Sequence, residues 1–249
     1  MLKIPLAITN KPLKLIFSYE NLYICLTYNS NTKLTSNIIM NTSKSNSNLF
    51  DCIVFGEIIY DIYQNTHQLG GAPLIYSWYL SQFGLKVLFI SSLGRDLLGQ
   101  KAIQKIKSSN LISYSIELNN LETGTAHIIG SSTNPEFIIN ENVAWDQIVL
   151  PPNISTYKSQ ALYFGTLSQR SKFNQHSLKR LFRLTHQYQM FDINLRKNYY
   201  STNTIEYGLN NARIVKMNKT EFNLIKELLN ISSYHQLLDN YDIETLLVT

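Results

Sequence analysis

Three groups of polar residues stand where apolar runs of the chain end. Glu57 and Asp61 follow "CIVFG", Asp192, Asn194 and Arg196 follow or close "YQMF", and Asn218 and Glu221 follow "RIVKM". Carboxylates accept hydrogen bonds from hydroxyls, an amide both donates and accepts, and a guanidinium meets anionic oxygens. Together they suit a ligand that carries hydroxyls or phosphate. One such residue would be noise, whereas three clusters at comparable places indicate a polar-ligand site. Gly70 and Gly71 in "LGGAP" add a backbone without Cβ, which other groups can approach closely.

Each residue also has a plainer reading. Asp61 could cap a turn, and Gly70 and Gly71 could make a tight lead-in to a helix. Asp192 could fix its own loop. Asn218 could be a helix N-cap with Glu221 three residues on, a pairing common at ordinary helix starts. That structural role and a role near ligand are compatible.

The elements that would position these groups alternate. "CIVFGEII" is a strand. "GGAPLIYSWYLSQFG" holds a helix that begins at Pro73, with Gly84 just past its end, apolar nearly all round and therefore buried. "KVLFIS" is the next strand. A helix follows over "LLGQKAIQKIKSS", with Leu98, Ala102, Ile103 and Ile106 on one face. Short strands are predicted in 112–140, a strand at 161–166, a helix at 172–187 and a strand at "YQMFDIN". Further on come a helix at about 201–211, a strand "ARIVKMN", a helix over "KTEFNLIKELL", a short helix near 233–239 and a terminal strand "TLLVT". Alternation of this kind predicts a mainly parallel sheet with helices on both faces. Ligands of such sheets bind at the carboxyl ends of the strands, where the three clusters stand.

Composition narrows the partners. The chain has 249 residues, 44% of them hydrophobic, enough for a substantial core. Residues 1–48 hold five lysines and one acid, so they carry +4 of the net +5. The rest is nearly neutral, which argues against a nucleic-acid surface. Arg170, Lys172, Lys179, Arg180 and Arg183 form one basic group, expected as a solvated helix face opposite Phe173, Leu181 and Phe182. No apolar run reaches transmembrane length. Cys25 and Cys52 fit no metal spacing, and the five histidines show no ligand pattern. "TSKSNSN" (42–48) reads as a flexible linker, dividing a basic, low-complexity extension (1–48) from a folded domain (49–249). The chain is expected in the cytoplasm. The extension, acid-poor and Ser/Thr-rich but without arginine, leaves an organellar (plastid) transit peptide as the alternative.

"VFGEIIYD", "LGGAP" and "FGLKVLFISSLGRDLLG", then "ETGTAH", "AWDQI", "YFGTLSQR", "FDINLR" and "VKMNKTEF", resemble the PfkB (ribokinase-like) carbohydrate kinases in order and spacing, with the fructokinase branch closest. The likeness covers roughly 51–249. It implies a ribokinase-like three-layer αβα sandwich with a mainly parallel sheet. It also implies a small β lid, built from the stretch between Asp61 and Gly70 and the strands of 112–140. It implies ATP-dependent phosphorylation of a sugar hydroxyl, with ATP and Mg²⁺ as cofactors and a homodimer through the lid. Asp61, Gly70, Gly71, Asn194 and Arg196 would meet the sugar, Arg196 also the transferred phosphate. Asn218 and Glu221 would help hold Mg²⁺ and phosphates without direct metal ligation.

The sequence departs from the family pattern in two places. The family's Gly-Gly-Ala-Pro-x-Asn ends in an asparagine that hydrogen-bonds sugar, and Ile75 occupies that position here. An alkyl group leaves a buried hydroxyl unpaired, at roughly 1–3 kcal/mol. The family's Gly-x-Gly-Asp segment, with the anion hole and the catalytic base, would follow the strand matching "TLLVT". The resemblance therefore implies a chain cut before its C-terminal third, with no catalytic base of its own and with the sheet's edge and one face uncovered. A kinase-like binding or scaffold protein without activity, or a gene remnant, is the alternative.

Overall fold

The computed structural model describes residues 6–9, 15–19, 22–26, 48–64, 66–109, 113–131, 134–184, 187–196 and 199–249. In chain order the elements are strands β1 (Leu6–Thr9), β2 (Leu15–Tyr19), β3 (Leu22–Leu26), β4 (Leu49–Phe55), β5 (Ile59–Tyr63) and β6 (Thr66–Gly70), then helix α1 (Ala72–Gln82), β7 (Val87–Gly94) and α2 (Leu97–Ser108). There follow β8 (Ser113–Asn119), β9 (Thr125–Ser131), β10 (Asn134–Ile139), β11 (Lys158–Gly165), α3 (Lys172–Phe182), β12 (Tyr188–Asp192) and α4 (Thr202–Asn210). The last are β13 (Ile214–Met217), α5 (Lys219–Leu229), α6 (Tyr234–Asn240) and β14 (Thr245–Val248). The expected linker at 42–48 lies, apart from Asn48, outside the described residues.

The main sheet runs in the order β1-β14-β13-β12-β11-β4-β7-β8. All neighbours are parallel except β1 and β14. Alternate residues of each strand enter two separate cores. In β4, Ile53 and Phe55 face one way and Cys52 and Val54 the other. β11 splits likewise into Leu162 and Phe164 against Tyr163, and β14 into Leu246 and Val248 against Leu247. Helices α3 to α6 fill the first core through Leu178, Leu181, Ile205, Leu209, Phe222, Ile225, Leu237 and Leu238. Helices α1 and α2 fill the second through Leu74, Leu80, Ala102 and Ile106. Strands buried on both faces must be apolar throughout, which is why "CIVF" and "LYF" are runs rather than alternations. This is the expected three-layer αβα sandwich.

The caps explain several boundaries. Asp96, Ser171, Ser201, Asn218 and Ser233 each accept a backbone N–H of the first turn that follows, satisfying donors that a helix start leaves open. Helix α3 ends at Phe182, short of the expected 187.

Three expectations are corrected. First, β8 does not belong to the lid. It pairs parallel with β7 in the main sheet, and the small second sheet is β10-β9-β5-β6. Second, β14 does not leave an open edge. β1, from the segment set aside as an extension, pairs antiparallel with it in register Leu6 to Val248 through Thr9 to Thr245. Ile8 packs against the first core, and on the other face Ile214 and Leu247 are also buried. Third, Arg170 is no part of a solvated face. It pairs with Asp146 at 2.8 Å and lies 3.9 Å from the Trp145 ring centroid. Lys172, Lys179, Arg180 and Arg183 are exposed as expected, but so is Phe173.

An unpaired edge strand is an aggregation hazard, and β1 removes it from β14. Deleting residues 1–10 is therefore expected to lower Tm, by about 2–4 °C for each kcal/mol of pairing lost, and to broaden the size-exclusion peak. A thermal melt and a chromatogram unchanged by the deletion would contradict the role given to β1.

Candidate functional site

Beyond the carboxyl ends of the central strands, beneath the small sheet, lies a cavity of about 580 Å³. Glu57 and Asp61 reach it from the segment after β4 and from β5, and Asp192, Asn194 and Arg196 from the end of β12 and the turn beyond. Ile75, Tyr76 and Tyr79 come from α1, Ala126, Phe137 and Ile139 from the small sheet, and Lys216 from β13. Helix α1 is apolar nearly all round for a concrete reason. Leu74 and Leu80 bury against the sheet, while Ile75, Tyr76 and Tyr79 face this cavity.

The centre of the site is a cross-strand network. In the parallel register Asp192 stands opposite Lys216 on β13 and Gly165 on β11. Lys216 Nζ donates to Asp192 Oδ1 at 3.0 Å, and the Tyr163 hydroxyl donates to Oδ2 at 2.8 Å. Both carboxylate oxygens are thus satisfied although Asp192 is only 5% exposed. Tyr76 stacks on Tyr163, with centroids 4.2 Å apart and planes at 17°, a favourable aromatic pair. Burial, with Asp192 and Glu57 nearby, holds the Tyr163 hydroxyl well above the usual phenol range, so it stays a donor.

Glu57 differs. It is 3% exposed, and its Oε2 has no hydrogen-bond partner. Burial pushes its carboxyl up to about 7, against the pull of its own backbone N–H, Arg196 and Arg170, while Asp192 pushes it further up. Burial also raises Asp61, and Arg196 pulls it back down.

Of the expected site residues, Asp61, Gly71, Asn194 and Arg196 all line the cavity. Gly70 stands against Asp61, and a Cβ there would come within 3.0 Å of Asp61 Oδ2. Gly71 has φ +107, and a Cβ would lie 2.5 Å from the Glu57 carbonyl oxygen. Its glycine is therefore required by the protein's own backbone. Asn194 takes φ +37, a conformation that asparagine tolerates better than most residues, and this turns its loop into the cavity. Arg196 also lies 5.0 Å from the Phe137 ring centroid, and the Tyr199 hydroxyl donates to the Ile139 carbonyl at 2.7 Å. Both contacts tie the loop after β12 to the small sheet above.

Asn218 and Glu221 are absent from that lining. They form a capping box. Asn218 Oδ1 accepts from the Glu221 N–H at 2.8 Å, and Glu221 Oε2 accepts from the Asn218 N–H at 2.7 Å. The other oxygen, Oε1, accepts from the Leu195 N–H at 2.9 Å. Glu221 therefore holds the turn that carries Asn194 and Arg196. Other stretches prove equally structural. Asp96 of "GRDLLG" accepts from the N–H and hydroxyl of Thr123 in "ETGTAH", and Asp146 of "AWDQI" holds Arg170 of "GTLSQR". Sequence reasoning missed Lys216, Tyr76 and Tyr163. Lys216 had a readable signal, since it is the one charge inside the apolar strand "IVKM".

A parallel sheet covered on both faces, with a lidded polar cavity at the carboxyl ends of its strands, defines the class of the protein as a three-layer α/β sandwich. The profile of the pfkB family of carbohydrate kinases matches residues 38–249, and the chain belongs to that family. Solved structures agree in fold. Fructokinase from Xylella fastidiosa, determined with bound ATP, superposes with TM-score 0.67 at 18% identity, over 81% of this chain and 68% of that one. Halothermothrix orenii fructokinase gives TM-score 0.67 at 19% identity over 80% and 79%. Fructokinase from Vibrio cholerae O395, bound to fructose, ADP and calcium ion, gives 0.65 at 16% over 80% and 70%. No curated protein matches by sequence.

Two outcomes are expected. Lys216→Met leaves Asp192 buried without its cation and should cost about 2–4 kcal/mol of stability, and adding Asp192→Asn should recover part of it. Urea unfolding at pH 7 measures both. For Glu57 the folded value near 7 lies above the unfolded one. The folded state then holds a proton that the unfolded state loses, and stability falls as pH rises from about 4.5 to 7. Glu57→Gln, neutral and of the same shape, should raise Tm at pH 8 and leave it nearly unchanged at pH 4.5.

Proposed function

We propose that this cavity is the sugar site of an ATP-dependent, fructokinase-like carbohydrate kinase. The observation that carries the reading is the meeting of Asp61, Asp192, Asn194, Arg196 and Lys216 in one lidded cavity. A sugar would lie between the sheet's carboxyl edge and the small sheet, its hydroxyls donating to Asp61 and bonding to Asn194. The lid would exclude water, which otherwise competes with the sugar for the transferred phosphate.

ATP would supply the phosphate. The residues fit that use in one respect. Arg196 and Lys216 are cations on the cavity wall, and phosphoryl transfer depends on cationic stabilisation of the phosphates. No cluster of three metal-ligating residues occurs among the described residues. An Mg²⁺ held through phosphate oxygens and water needs no such cage. Asn218 and Glu221 would then act by holding the turn that presents Asn194 and Arg196.

Ile75 shapes the specificity. It is 41% exposed and faces the cavity beside Tyr76 and Tyr79, so at that position the wall offers an alkyl group with no hydrogen bond. Exposed Tyr63, Ile129 and Ile138 on the small sheet support a homodimer through the lid, which sedimentation velocity would test.

Calorimetric titration with D-fructose tests the binding reading without requiring turnover. Asp61→Ala should weaken binding roughly 10- to 100-fold, as expected for a hydrogen bond to a charged group. Ile75→Asn should tighten it. Formation of ADP from Mg-ATP that depends on fructose tests the transfer. A chain that binds no hexose, or whose binding ignores Asp61, would refute the assignment.

A further inference from the structure

The network around Asp192 leaves Glu57 unexplained. Among the described residues that line the cavity, its Oε2 is the one buried side-chain oxygen or nitrogen with no hydrogen-bond partner. A desolvated carboxyl in that state lowers stability and does nothing for the fold that a glutamine could not do. Its position is also fixed with care. Its carbonyl oxygen lies under Gly71, at a spacing that excludes any Cβ. The turn that carries it directly follows β4, at the middle of the sheet.

We propose that Glu57 is a second ligand-binding carboxyl at the floor of the cavity, taking a hydroxyl of the bound sugar on its open oxygen and giving up a proton as it does so. The proposal rests on the sugar-binding reading of the site. The groups around it make the step feasible. Asp61 faces the cavity from β5, Tyr163 from β11, Asp192 and Arg196 from β12 and its turn, and Lys216 from β13, while Arg170, in the turn after β11, stands outside the cavity wall in its pair with Asp146 and reaches Glu57 only through its charge. Lys216 and Tyr163 bond Asp192 and offset its opposing charge, Asp146 holds Arg170, and Arg196 is the stronger of the two cations that favour a charged Glu57. In the empty site burial keeps the carboxyl half-protonated near pH 7. A hydroxyl that donates to it favours the charged form. Binding then releases a proton to solvent, and affinity rises with pH through 7.

The test is D-fructose titrated calorimetrically into the full chain at pH 7, in two buffers of different ionisation enthalpy. It is repeated with Glu57→Gln and Asp61→Asn. The wild type is expected to release about 0.4 proton per site if binding lowers the carboxyl by one unit. Glu57→Gln should abolish that release and weaken binding about tenfold at pH 8, whereas Asp61→Asn should weaken binding and keep most of the release. A glutamate that only shaped the cavity, or held a buried water, would leave proton release unchanged in Glu57→Gln, and that result overturns the proposal. Wild-type binding without proton release overturns it too, while the sugar reading stands. Absence of any binding isotherm for the wild type removes the sugar reading itself, and the proposal with it.

Discussion

A parallel sheet covered on both faces dictates the rest of this molecule. Its strands must be apolar on both sides, because each alternate residue enters a different core. Most polar and charged groups are kept out of the strand bodies, with Lys216 and a few buried serines as exceptions, and collect where the strands stop. In β4, β11 and β12 the apolar runs end in Glu57, in Thr166 to Arg170, and in Asp192 to Arg196. The cavity lies where those ends converge. Fold and site are thus one consequence of the same burial constraint.

Electrostatics then divides the carboxylates of the cavity into different states. Asp192 sits opposite Lys216 in the strand register and is bonded by Tyr163, so its charge is compensated by the sheet itself. Asp61 is half-buried with Arg196 near it. Glu57 is fully buried and only partly compensated. The three carboxyls therefore differ because of how deeply each is buried and what the fold places beside it. Lys216 belongs to this balance, and its place inside an apolar strand is tolerable only because Asp192 is its neighbour.

The site is held together by ties that are not themselves ligand groups. Glu221 holds the turn before Arg196 through the Leu195 N–H. Tyr199 and Arg196 fasten that turn to the small sheet through Ile139 and Phe137. Asp96 and Thr123 anchor the start of β9 to the first turn of α2. The opposite side of the molecule has a comparable device, in which β1 closes the edge of β14 with a strand from far back in sequence.

Much was legible in the sequence because it depends on local pattern. The apolar runs, the cap at Asn218, the glycines and the clusters at strand ends follow from hydrogen-bonding capacity and periodicity along a few residues. They were enough to foretell a double-sided sheet and five of the cavity's polar residues, Glu57, Asp61, Asp192, Asn194 and Arg196. The assignment of β8 to the main sheet, the partnership of β1 with β14, the burial of Arg170 against Trp145 and the pairing of Lys216 with Asp192 were decided only in three dimensions. Each joins segments distant in sequence, and strand neighbours are chosen by shape, register and charge across the whole sheet. The state of Glu57 belongs with them, since a carboxyl's burial and its missing partner are properties of its surroundings.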